Sequence, residues 1–166
     1  KLRSAVCQKA KTYIGCPYRT GAIGPDAFDC LGLIFTVFRE AAGIQLPRSA
    51  KAIYSAVTIV SSDQIEEGDL VFFKTTGDGS ISHVGIYIGR NQFIHAASDG
   101  SNTGVIASSL TEKYYKNCFA GVGKPISTAK SNKKNEKTDD SDEIIEEEVI
   151  EDDNSEEKKI KRFVFI

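Results

Sequence analysis

The chain has 166 residues, 40% of them hydrophobic and 27% charged, with a formal net charge of −2 and four cysteines. That length suits one domain with a real core, and no apolar run approaches the roughly 18 residues a membrane span needs, so no span is expected. The charge balance carries no basic excess, and no nucleic-acid partner is expected.

Leu2, Val6, Ala10 and Tyr13 or Ile14 recur at helical spacing and predict a first helix that stops at Gly15 and Pro17. A glycine-rich loop runs from Gly21 to Pro25. Asp29 is a good N-cap residue ahead of Cys30, and Leu33, Ile34, Val37, Phe38 and Ala41 form the inward face of a second helix ending at Gly43. After Pro47 a shorter helix spans Ser49 to Ala56. The period then changes to two or to short apolar runs: DLVFF, HVGIYI, QFIHAA, GVIASS and FAGVGKPI, each bounded by Gly, Asn, Asp or Ser. Helices first and strands afterwards argue an α+β fold, with the N-terminal helices packed on a five-stranded, mainly antiparallel sheet.

Charge breaks sharply along the chain. Residues 1–126 hold 13 Lys+Arg against 10 Asp+Glu, whereas residues 127–166 hold 8 against 13. The expected organisation is a domain over 1–126 and an acidic low-complexity tail over 127–166. From Ser127 to Glu157 the composition buries too little surface to offset ordering entropy, which reads as a disordered or loosely helical tail. Within it Ile144, Ile145, Val149 and Ile150 stand at near-helical spacing, so a short amphipathic helix docked on a protein partner is the alternative to a solvated acidic tail. The chain ends KKIKRFVFI, a basic then apolar segment whose β-branched and aromatic residues would suit an edge strand.

Cys30 falls in the first helical turn, where unpaired N–H groups and the positive end of the helix dipole favour a thiolate. A nucleophile there needs a base, and the only two histidines, His83 and His95, stand on one apparent hairpin. With a three-residue turn Gly89-Arg90-Asn91, Ile88 pairs with Gln92, Gly85 lies opposite His95 and Ala97 opposite His83. The rings then become diagonal neighbours on one face, with backbones about 7–8 Å apart. One ring would take the thiol proton while the other orients it. A one-residue change of turn would send the rings to opposite faces. Zinc is the rival chemistry for Cys30, His83 and His95, but no CxxC or HxxxH supports it, so no metal and no cofactor are expected.

FDCLGLIFTVFREAAGIQLPRSA, GDLVFFK, SHVGIYIG, FIHAAS and FAGVGKP, in this order and spacing from about Ala5 to Pro125, resemble the NlpC-type cysteine peptidases, bacterial enzymes that cut peptidoglycan stem peptides. The resemblance implies a papain-like α+β fold with Cys30 as nucleophile, His83 as general base and His95 as the orienting residue. It also implies that Tyr18 helps bind the oxyanion beside the Cys30 N–H, with Asp29, Leu31 and Ser82 as substrate-binding positions. The implied reaction is amide hydrolysis through a thioester acyl-enzyme, usually at the D-γ-glutamyl bond to the diamino acid. A related Cys-His amidase with another target, such as a toxin or phage-tail lysin, and a silent wall-binding domain are the alternatives.

Two positions depart from the family pattern: Leu31 stands where the family has serine, and Gly21-Ala22 where it has a double glycine. Cys7, Cys16 and Cys118 allow at most one further pair; Cys7 would meet Cys118 only if the first helix packs beside the last strand, and otherwise all three stay reduced. The resemblance implies an extracytoplasmic location. The chain begins with lysine rather than methionine, as expected of a processed or trimmed chain whose export signal went with the missing part.

Overall fold

In the computed structural model, residues 1–98 and 102–126 are described in full and residues 143–151 and 157–165 by their backbone. The helix ends follow local chemistry. α2 (Cys30–Ala42) begins where Asp29 Oδ1 accepts the Gly32 N–H at 2.7 Å, and it ends at Gly43, whose φ of 68° closes the last turn in the left-handed region. α3 (Ala50–Ala56) is capped by Ser49, whose Oγ accepts the Ala52 N–H at 3.1 Å. α1 (Leu2–Thr12) has no side-chain cap and buries Val6, Cys7 and Ala10. Leu2, expected on its inner face, is 45% exposed; of the two alternatives at its end, Tyr13 packs against the core and Ile14 is 47% exposed.

Strands β1 (Thr58–Val60), β2 (Leu70–Phe73), β3 (His83–Gly89), β4 (Gln92–Ala97), β5 (Gly104–Ser109) and β6 (Phe119–Lys124) form one sheet in the order β1-β6-β2-β3-β4-β5, every neighbouring pair antiparallel. The expected five strands are all present. The sixth, β1, is a three-residue edge strand with two exposed positions, too short to show a period. A short helix α4 (Lys113–Cys118) enters β6 and was not anticipated.

Both faces of the sheet are covered, so β2 is buried at all four positions. Leu70, Phe72, Val84, Ile86, Ile94 and Ala96 pack with Val6, Leu33, Ile34, Val37, Phe38 and Ile53 of the helices. Val71, Phe73, Tyr87 and Phe93 form a second cluster, joined by Tyr115 of α4. Each such side chain contributes about 1.5–3 kcal/mol by leaving water.

The β3–β4 connection differs in detail from expectation. Arg90 and Asn91 take φ of 53° and 62°, a two-residue turn whose twist matches a hairpin. Gly89 then faces Gln92, and a bulge between Tyr87 and Gly89 brings Ile86 opposite Ile94. The bulge supplies the residue that the turn lacks, so the strand faces are the anticipated ones.

Asp69, fully buried, ties the two ends of this unit together by accepting from Arg3 of α1 and Lys124 of β6, each at 2.6 Å. Arg3 also donates to the Ile126 carbonyl at 3.0 Å.

The chain divides into two compact units, Lys1–Ile126 and Ser127–Ile166. In the second, β7 (Glu143–Glu151) and β8 (Glu157–Phe165) pair antiparallel. The stretch from 143 to 151, read from composition as unstructured or helical, is therefore a strand. The register sets Glu146 opposite Arg162 and Glu147 opposite Lys161. The remainder of the tail, 127–142 and 152–156, lies outside the described residues.

Because the ties that close the first unit end at Ile126, a chain truncated after that residue should fold with a melting temperature within a few degrees of full length. Thermal unfolding followed by circular dichroism checks this.

Candidate active site

Cys30 sits at the start of α2, positioned by a loop that folds back on it. Asp29 serves two elements at once, Oδ1 accepting from Gly32 and Oδ2 from the Gly21 N–H at 2.8 Å. The Asp29 N–H in turn donates to the Ala22 carbonyl at 3.0 Å. A side chain at Gly32 would bring its Cβ within 2.1 Å of that carbonyl oxygen, so only glycine fits two residues after the cysteine. Tyr18 is placed by the Arg19 N–H to Phe28 carbonyl bond and the Phe28 N–H to Pro17 carbonyl bond, which lay residues 17–19 alongside Phe28.

Burial pushes the Cys30 thiol up to about 11, and the Asp29 carboxylate adds to the shift; the backbone N–H groups of Leu31, Cys30 and Val84 oppose it. The N–H groups of the helix start favour the thiolate as the sequence suggested, but desolvation outweighs them, and a base must take the proton. Burial, followed by the charges of Cys30 and Asp29, also raises the Tyr18 phenol, so tyrosine and cysteine share one environment.

His83 opens β3, immediately before Val84, whose backbone N–H acts to lower the Cys30 thiol. Its Nε2 lies 2.9 Å from Nδ1 of His95, with the two rings edge to face at 82°. His95 is fully buried, packed on Phe93 and Tyr115, and its Nε2 lies 2.8 Å from Ser108 Oγ. Desolvation, aided by the neighbouring His83, lowers the His95 imidazole to about 3, so this ring is neutral at ordinary pH. The Ser108 hydroxyl also acts to lower the Tyr115 phenol, which burial raises to about 12.

The structure thus pairs His83 with His95, and it sets Cys30 close enough to Tyr18 for their charges to interact and close to the backbone of Val84, the residue after His83. Among the described residues no cluster of three or more His, Cys, Asp or Glu side chains is arranged to hold a metal ion, and all four cysteines are unpaired. Cys7 bonds the Tyr87 carbonyl in β3 through its sulfur instead of meeting Cys118. Ser108 and Tyr115 were not singled out from the sequence.

Asp29, Leu31 and Ser82 line one groove of about 500 Å³ with Arg48 and Lys51. Ser82 Oγ lies 2.8 Å from Thr75 Oγ1 and accepts the Thr75 N–H, bracing the loop before His83. Leu31 also touches the main core. On the other side of the histidine, His83, Thr75 and Tyr115 border a hollow of about 240 Å³.

A sequence profile of the NlpC/P60 family matches residues 15–124. The gamma-DL-glutamyl hydrolase of Bacillus subtilis is 42% identical over 118 residues, which cover 70% of this chain and 28% of that protein. The murein DD-endopeptidase MepS/murein LD-carboxypeptidase of Escherichia coli is 38% identical over 115 residues, covering 69% of this chain and 58% of that one. The chain therefore spans less than two thirds of the length of these curated relatives. Among solved structures, a lipoprotein-like NLP/P60 protein of Staphylococcus aureus superposes with a TM-score of 0.67 at 32% identity, over 76% of this chain and 42% of that one.

Two measurements check this electrostatic picture. Iodoacetamide should alkylate Cys30 at neutral pH in the wild type, whereas His83→Ala should move the midpoint of alkylation upward toward the thiol's own value of about 11, as read on the Cys30 peptide by mass spectrometry. The second concerns acid. The folded value of His95 lies below that of the unfolded chain, so between about 6.5 and about 3 the unfolded state binds the extra proton. His95 should therefore leave stability intact above that window and reduce it as pH falls, by on the order of 4 kcal/mol across the whole window. Denaturant titrations should show His95→Gln losing less stability over this range than the wild type.

Proposed function

The chain belongs to the NlpC/P60 family, and we propose that it is a cysteine endopeptidase that hydrolyses peptidoglycan stem peptides through a thioester acyl-enzyme, at the amide between D-γ-glutamate and the diamino acid. The observation that carries this reading is the imidazole pair at 2.9 Å, one ring of which directly precedes Val84, whose backbone N–H acts to lower the Cys30 thiol.

With Nε2 of His83 engaged by His95, Nδ1 is the nitrogen that takes the thiol proton. The sulfur then attacks the amide carbon, and the oxyanion forms against the Cys30 N–H at the helix start and the Tyr18 hydroxyl. The protonated His83 gives its proton to the departing amine as the C–N bond breaks, leaving the acyl group on sulfur. Water, deprotonated by His83, releases it. Because Cys30 is held as a thiol by burial, proton transfer and attack are coupled through His83.

The groove that carries Asp29, Leu31 and Ser82 also carries Arg48 and Lys51, which suits an acyl portion bearing a carboxylate, as glutamate does. The curated name of the Bacillus subtilis relative points the same way. Leu31 gives this groove an apolar wall where the family has a serine. Peptidoglycan lies outside the cytoplasmic membrane, and the protein acts there.

Digestion of purified peptidoglycan with the wild type, followed by mass analysis, should yield fragments ending in D-glutamate and fragments beginning with the diamino acid. Cys30→Ala should keep the fold and reduce the rate by at least about 10³-fold. Appreciable cleavage by that variant would overturn the mechanism, and wild-type cleavage at a different amide would overturn the bond assignment.

A further inference from the structure

The hydrogen-bonded chain that begins at His83 does not stop at His95. It continues through Ser108 to Tyr115, and three of its members stand on consecutive strands, β3, β4 and β5. Ile106 is paired with His95, so Ser108, two residues on, is the diagonal neighbour of His95 on the same face, as His95 is of His83. Ser108 is only 7% exposed.

A chain of this kind can run with either polarity, and only one serves a base at His83. When the Cys30 S–H bond breaks and an N–H bond forms at His83 Nδ1, the ring carries protons on both nitrogens. Its Nε2–H must then donate, so the His95 nitrogen 2.9 Å away must accept. A neutral His95 with a bare Nδ1 carries its proton on Nε2, and that proton points at Ser108 Oγ, 2.8 Å away. Ser108 must accept from the imidazole and pass its own hydrogen on, for which the Tyr115 oxygen is the partner.

We propose that Ser108 is a positioning residue that, with its hydroxyl hydrogen directed at Tyr115, holds His95 in the Nε2–H tautomer and so leaves His83 able to accept the thiol proton. The proposal rests on the reading of Cys30 and His83 as nucleophile and base. It adds what selects the tautomer of the orienting ring. Reversed polarity, with Ser108 donating to His95 Nε2, would put a proton on His95 Nδ1, place a lone pair of His83 against it, and leave His83 carrying its proton toward the sulfur.

The chain has only two histidines, so the full-length protein labelled with ¹⁵N-histidine gives two ring patterns in long-range ¹H–¹⁵N correlation spectra, assigned with His95→Gln. Wild-type His95 should be protonated at Nε2 and bare at Nδ1 from pH 5 to 8. Ser108→Ala should lose that single tautomer and lower kcat on stem-peptide fragments about tenfold with KM unchanged, while Ser108→Thr, which keeps the hydroxyl, should restore both. A wild-type His95 protonated at Nδ1 would overturn the proposal, and so would Ser108→Ala with wild-type spectrum and kcat. Should Ser108→Ala fail to fold, the wild-type spectrum and the threonine variant still decide. A wild type with the Nε2–H tautomer but no peptidase activity would sink the functional reading and leave the polarity of the chain standing.

Discussion

The pairing of β3 with β4 is the constraint on which the site depends, because the two imidazoles meet only while Ile86 faces Ile94. A slip of one residue would turn one histidine to the opposite face. The hydrogen bond between the rings is far too weak to hold the register, since such a bond contributes about 0.5–1.5 kcal/mol net. The apolar residues of β4 do hold it. Phe93, Ile94 and Ala96 are fully buried on alternate faces, Phe93 with the cluster that includes Tyr115 and Ile94 with the helices. Exchanging their faces would forfeit several times the energy of the imidazole contact. Gly85 reinforces the same register, as a Cβ there would lie 2.6 Å from the Phe93 ring. The chemistry is thus positioned by a sheet buried on both sides, and the polar groups inherit their geometry from apolar packing.

The second anchor is the Asp29 carboxylate, and it has an electrostatic consequence. By joining the helix start at Gly32 to the loop at Gly21 it brings Tyr18 and Cys30 into one environment, but it also places a negative charge beside the sulfur. Three backbone N–H groups counter that charge without overcoming burial. A thiol so placed is quiet toward solvent, and under the proposed mechanism it depends on His83 for activation, which would restrict its reactivity to substrates that reach both groups.

Features with local causes were legible in the sequence. Asp29 and Gly43 bracket α2, Ser49 caps α3, and the five apolar runs became β2 to β6, since caps and period-two burial act within a few residues. The histidine geometry was readable for a subtler reason. The turn proved one residue shorter than expected, yet the bulge before Gly89 restored the count, so the face assignment survived an error in the turn. What escaped depended on neighbours distant in the chain. β1 has too few residues to carry a pattern, and the acidic segment of β7 pairs with basic β8, a partner its own composition does not reveal. Ser108 lies within a recognised strand, but its role needs the β4–β5 register, and Tyr115 sits on a short helix without a hydrophobic period.

The same accounting of hydrogen bonds bears on what the groove beside Cys30 recognises. Of its polar residues, Asp29 already accepts a backbone N–H at each carboxylate oxygen, and the Ser82 hydroxyl is paired with Thr75. Leu31 offers no polar group, and its contact with the core keeps it from moving aside. The recognition capacity of the groove therefore falls chiefly to Arg48 and Lys51, and the Arg48 guanidinium is itself held 5.3 Å over the Phe35 ring, so little of its side-chain freedom remains to be lost on binding. A groove built in this way discriminates by charge more than by hydroxyl pairing. Under the proposed function, such a groove would favour an acyl group with an anionic branch next to an apolar one, and the serine-to-leucine difference at position 31 would shift recognition further in that direction.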